Sequence, residues 1–162
     1  MKKLAAHAVI IAILAASGAT FAAGGGGDTT PKAWDTGPSD PTVQAAQARF
    51  AASDWKGAEE LLGKALARSP QNADYHNLYA YALRKGPSPN MDLVFRHYNE
   101  ALRINPKHFG AHEYMGEAYL MQNNLAKAKE HLAQLSRVCG GCDEFFMLRK
   151  AIADFERGQA KK

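Results

Sequence analysis

Residues 108–135 read HFGAHEYMGEAYLMQNNLAKAKEHLAQL, and the reading of this stretch decides the fold. Apolar and small residues recur three and four apart on both sides of the polar break Gln122-Asn123-Asn124. That is the periodicity of two amphipathic helices joined by a short turn. No alternating, strand-like run of any length occurs from Thr42 onward.

The pattern occurs three times. LAKAKEHLAQLSRVCG (125–140) superimposes without a gap on WKGAEELLGKALARSP (55–70) and MDLVFRHYNEALRINP (91–106). Ala58, Val94 and Ala128 share a small position, Leu62, Tyr98 and Leu132 a bulky one, and Ala65, Ala101 and Leu135 a third. Each segment follows another helix: TVQAAQARFAA, YHNLYAYALRK and AHEYMGEAYLM. In the last two, His76, Tyr79, Ala80 and Leu83 match His112, Met115, Gly116 and Tyr119. Between the first two units the offset is 34 in the leading helix (Ala45 to Tyr79) and 36 in the trailing one (Ala58 to Val94). The two extra residues therefore belong to GPSPN, Gly86 to Asn90, where a surface turn tolerates them.

A helix-turn-helix unit of 34 residues with a small residue midway along its first helix, an alanine early in its second and a closing proline resembles the tetratricopeptide repeat. The resemblance spans three units, about 42–70, 73–106 and 109–138. The first unit departs most, with Thr42 and Arg49 where bulky or aromatic residues are usual. It implies an all-α, right-handed α-solenoid, closed by a capping helix within 139–162 in which Phe145, Leu148, Ile152 and Phe155 form one apolar stripe. It also implies a concave groove, lined by the leading helices, for a protein or peptide partner. On that reading the free face carries Gln47 and Phe50, then Asn77, Tyr81 and Arg84, then Glu113, Glu117 and Leu120. Tyr81 and Arg84 rank first, because Tyr and Arg dominate protein interfaces. The two-carboxylate clamp of chaperone-binding relatives is not expected: the first unit offers no lysine to the groove and the third offers glutamates.

Residues 1–22, MKKLAAHAVIIAILAASGATFA, place two lysines before a short apolar run and small residues, the order of a secretory signal peptide. The run is too short to span a bilayer, which takes roughly 20 residues, so no membrane insertion is expected after cleavage. The lysine-first, alanine-rich leader predicts bacterial export to the periplasm. Residues 23–41, rich in Gly, Pro, Thr and Asp, read as a linker. Removing Lys2 and Lys3 leaves 18 basic against 16 acidic side chains. Such a balance builds no basic face for nucleic acid. Nothing in the sequence specifies an oligomeric state.

No H-E-x-x-H, G-x-S-x-G or G-x-x-x-x-G-K-[ST] pattern occurs, and the chain is read as no enzyme, without cofactor. His76 and His112 fall on one repeat position and His97 and His131 on another, which recurring packing explains better than metal ligation. His108 lies in the turn after Pro106. No metal site is expected. The two cysteines stand in RVCGGCDE (137–144), at the joint between the third unit and its cap. In an oxidising compartment Cys139 and Cys142 are expected to form a local disulfide, whose short loop puts its contribution at the low end of roughly 0–5 kcal/mol. The competing reading is a thiol-disulfide or metal-handling protein that works through this pair, with the repeats as a docking platform.

Overall fold

Six of the seven helices among the described residues begin at a side chain that accepts from the first turn's backbone N–H groups. The computed structural model describes residues 40–161; the expected signal peptide and all of the linker up to Ser39 lie outside them. Asp40 caps α1 (Pro41–Ala51) and Asp54 caps α2 (Trp55–Arg68). Asn72 caps α3 (Ala73–Lys85) and Asn90 caps α4 (Met91–Ile104). His108 caps α5 (Phe109–Met121) and Asn124 caps α6 (Leu125–Val138), while α7 (Asp143–Gln159) starts after Cys142 without a side-chain cap. Each cap satisfies a backbone donor the helix cannot use and contributes about 1 kcal/mol. Asp40 and Pro41, read as the end of the linker, are the cap and first residue of α1.

The helices pair in sequence, α1 with α2, α3 with α4, α5 with α6, and α7 lies against both α5 and α6. The architecture is an all-α repeat solenoid with α3 at its centre, touching α1, α2, α4 and α5. Within each pair the aligned small and bulky positions do the packing. Ala58, Leu62, Val94, Tyr98, Ala101, Ala128 and Leu135 are all fully buried. Leu132 alone among the aligned bulky positions stays half-buried, packed on the cluster around α7.

The turn inside the second pair is longer than its counterparts. Three residues separate α1 from α2 and α5 from α6, whereas five, Gly86 to Asn90, separate α3 from α4. The short turns place Ser53 and Asn123 at φ 55°, in the left-handed region. GPSPN replaces that tight reversal with a wider loop that contains no positive φ.

The last joint is built by glycine. Gly140 at φ 66° and Gly141 at φ 152° turn the chain between α6 and α7, conformations a side chain resists. They leave the Cα atoms of Cys139 and Cys142 5.6 Å apart, with the sulfurs within bonding reach. α7 then drives Leu148 against Gly116: a Cβ on that glycine would lie 2.6 Å from a Leu148 methyl. Leu148 and Ile152 are buried, and Phe145 and Phe155 pack beside them. Leu148→Ala is expected to cost about 2–4 kcal/mol, read in urea unfolding, with α7 losing hydrogen-exchange protection before α3.

Candidate functional site

The inner positions of α1, α3 and α5 hold large side chains, and these close on one another. Phe50 meets Tyr81 edge-on at 5.1 Å between ring centroids and stacks on Trp55 at 5.9 Å. Tyr81 in turn lies 4.8 Å from Tyr114. At the far end of this ladder the Arg84 guanidinium sits 5.4 Å from the Tyr81 centroid and 5.8 Å from that of Tyr114. Its Nη2 donates to Glu117 Oε2 at 2.7 Å and its Nε to the Tyr98 hydroxyl at 3.3 Å. Nη1 points at Met121 Sδ, 3.8 Å away.

This geometry corrects the expected free face. Phe50, Asn77, Tyr81, Arg84, Glu113 and Leu120 are buried, Tyr81 to 1% exposure and Arg84 to 7%. Gln47 and Glu117 remain half-buried. Residues that a single helix presents outward are covered here because the aromatic rings of neighbouring units reach across to each other. Arg84 keeps its charge, so its desolvation is offset only by its hydrogen bonds, its ring contacts and Glu117. Glu117→Ala is expected to cost about 3 kcal/mol by leaving a buried guanidinium without its carboxylate, whereas Arg84→Met/Glu117→Leu removes both charges and recovers most of that loss. Urea unfolding of the single and double variants measures the difference.

The histidines form two equivalent pairs. His76 Nδ1 lies 2.9 Å from His97 Nδ1, and His76 Nε2 lies 3.0 Å from the carbonyl of Pro70. One unit on, His112 Nδ1 is 3.0 Å from His131 Nδ1, with His112 Nε2 3.0 Å from the carbonyl of Pro106. A carbonyl only accepts, so the Nε2 atoms of His76 and His112 donate, and in the neutral rings their Nδ1 atoms accept from His97 and His131. Each pair thus ties the closing proline of one unit to both helices of the next. Two nitrogens fall short of a zinc ligand set, and no group of three or more His, Cys, Asp or Glu gathers among the described residues.

Burial first, and the neighbouring His76 second, pushes His97 down to about 4. Burial and then His112 do the same to His131. Both folded values lie below the ordinary value near 6.5 of an unfolded chain. These pairs therefore contribute stability in full above about pH 6.5 and lose it as pH falls towards 4, because the unfolded state takes up the proton first. Solvent screening of half-exposed rings leaves about 1 kcal/mol per pair. Unfolding free energy is expected to drop between pH 6.5 and 5, and His97→Gln/His131→Gln to flatten that slope.

Beside the longer turn lies an open cleft of about 250 Å³. Trp55, Lys56 and Glu59 of α2 form one side, Ala82 and Leu83 of α3 the other, and Gly86, Pro87 and Ser88 close the end. The Lys85 ammonium stands 5.8 Å from the Trp55 ring centroid. Sequence reading missed this cleft, although the two-residue excess in GPSPN marked its position.

A tetratricopeptide repeat family model matches residues 97–130, from within α4 through α5 into α6. Residues 97–130 thus carry a tetratricopeptide repeat. No curated protein sequence matches it. Among solved structures, the repeat fold is similar to that of SycD, the type III secretion translocator chaperone of Yersinia enterocolitica, at 13% identity and TM-score 0.61, over 74% of this chain and 82% of that one. SycD in complex with a peptide of the translocator YopD matches at 13% identity and TM-score 0.60, over 75% and 92% of the two chains. The first TPR of Spaghetti (RPAP3), bound to the HSP90 peptide SRMEEVD, matches at 16% identity and TM-score 0.60, over 74% and 90%. At such identities the likeness is one of fold.

Proposed function

We propose that this tetratricopeptide repeat protein is a non-catalytic periplasmic adaptor that binds a protein or peptide partner on its repeats. The observation that carries the reading is a solvent-open cleft with apolar walls on a scaffold of stacked helix pairs. Two similar folds, SycD and the Spaghetti repeat, were solved with peptides bound, which supports the same use of this one. Export rests on the leader sequence of residues 1–22. Among the described residues no helix is long and apolar enough to cross a membrane.

In that compartment Cys139 and Cys142 form a disulfide that fixes the angle between α6 and the cap. The thiol-exchange reading draws on one feature, the position of Cys142 at the N-terminal end of a 17-residue helix, where a thiolate is favoured. A reduction potential below about −300 mV supports the staple, and one near those of oxidoreductases supports exchange.

Photo-crosslinking in living cells tests the adaptor, with a photoreactive residue placed in turn at Gln47, Lys56, Lys85 and Met121. Specific adducts to one protein are expected from at least one position. Their absence from all four removes the adaptor reading, and retention of the protein in the cytoplasmic fraction removes the periplasmic one.

A further inference from the structure

The cleft beside GPSPN has a chemistry of its own, distinct from the inner ladder. Its volume of about 250 Å³ lies below the roughly 300–1,000 Å³ of small-molecule sites. That size suits one or two side chains of a peptide rather than a cofactor. The floor and walls are apolar: Trp55, Ala82, Leu83 and Pro87. An aromatic ring in an apolar groove is a feature of the surfaces on which extended, proline-bearing segments dock.

The rim carries charge of mainly one sign. Lys56 and Lys85 are both exposed, and neither forms an ion pair with a carboxylate among the described residues. Lys85 instead leans over Trp55. Against these two ammonium groups the cleft offers one carboxylate, Glu59. Rim charges of this kind select partners and speed their encounter more than they add affinity.

We propose that this cleft is a docking site for an extended acidic peptide segment: one apolar side chain, leucine or proline, enters against Trp55 and Leu83, and flanking carboxylates meet Lys56 and Lys85. The site deepens the adaptor reading and rests on it for its biological sense. It places recognition at the inter-helix turn of the second unit, because the inner face is filled by Phe50, Tyr81, Tyr114 and the Arg84–Glu117 pair. The lengthened turn GPSPN supplies Gly86, Pro87 and Ser88 to the cleft, so the turn that carries the insertion also builds part of its wall.

The test uses the full chain with Trp34→Phe, which leaves Trp55 as its one tryptophan. Three end-blocked hexapeptides serve as probes: Leu-Pro flanked by aspartates, Leu-Pro flanked by lysines, and Ser-Gly flanked by aspartates. The first is expected to shift Trp55 fluorescence saturably, and the other two to bind at least tenfold more weakly. Lys56→Glu/Lys85→Glu, both surface changes, is expected to reverse the charge preference with the circular dichroism unchanged. Equal response to the acidic and basic Leu-Pro probes, no response to either at millimolar concentration, or a charge preference untouched by the double variant overturns the site. Cellular crosslinks that persist at Gln47 or Met121 while all probes fail sink the cleft and leave the adaptor standing. Probe binding with no cellular crosslink anywhere keeps the cleft chemistry and removes the adaptor.

Discussion

A guanidinium buried at the meeting of α3, α4 and α5 constrains everything around it. Arg84 touches Tyr98 from its own helix pair and Glu117 from the next, and lies against Tyr81 and Tyr114. A charge taken out of water is tolerated only where hydrogen bonds and a counter-charge surround it. Those partners come from three helices, so the register of the second unit on the third is fixed by one side chain. The aromatic ladder that leads to Arg84 also has to be continuous, because a gap beside the guanidinium would expose it to solvent or leave it unsolvated.

The histidine pairs carry the same logic along the solenoid axis. A closing proline ends a trailing helix and leaves its carbonyl without a partner from a continuing helix. His76 and His112 donate to the carbonyls of Pro70 and Pro106, and on their other ring nitrogen accept from His97 and His131. A carbonyl left open at the end of one unit is thereby satisfied by the next. His108 extends the linkage with its Nε2 3.1 Å from Asp74, while its Nδ1 accepts from Ala111 at the start of α5. Repeat proteins draw stability from nearest-neighbour interfaces, and here those interfaces include polar ties as well as small-residue contacts.

The repeats were legible because periodicity and small residues are local signals: Ala58, Val94 and Ala128 align by eye, and all three are fully buried. The cap was legible for the same reason, since Leu148 and Ile152 sit on one helical stripe. The inner face was misread. An aromatic at an inner position looks like an anchor for a partner, yet Phe50, Tyr81 and Tyr114 anchor one another, a relation that depends on how far three helices lean together. The histidine pairs were recognised as recurrent but not as bonded, because the proline carbonyls that set their tautomers lie six residues away. Trp55 and Pro87 were passed over because the residues that form the cleft are separated in the chain and meet only when α3 folds back on α2.

The longer turn shows how such a scaffold acquires a surface of its own. In the first and third units a single left-handed residue, Ser53 or Asn123, lies in a turn that reverses the chain in three residues. Positive φ is costly for most side chains, which confines those turns to small or amide residues. Two more residues remove the need for positive φ in the second unit, and Pro87 and Ser88 of that turn line one cleft with Trp55. The helix packing underneath does not change, because Val94, Tyr98 and Ala101 keep the places that Ala58, Leu62 and Ala65 hold in the first unit. An insertion confined to a turn can thus alter the chemistry of the surface while the buried contacts that define the solenoid stay in register.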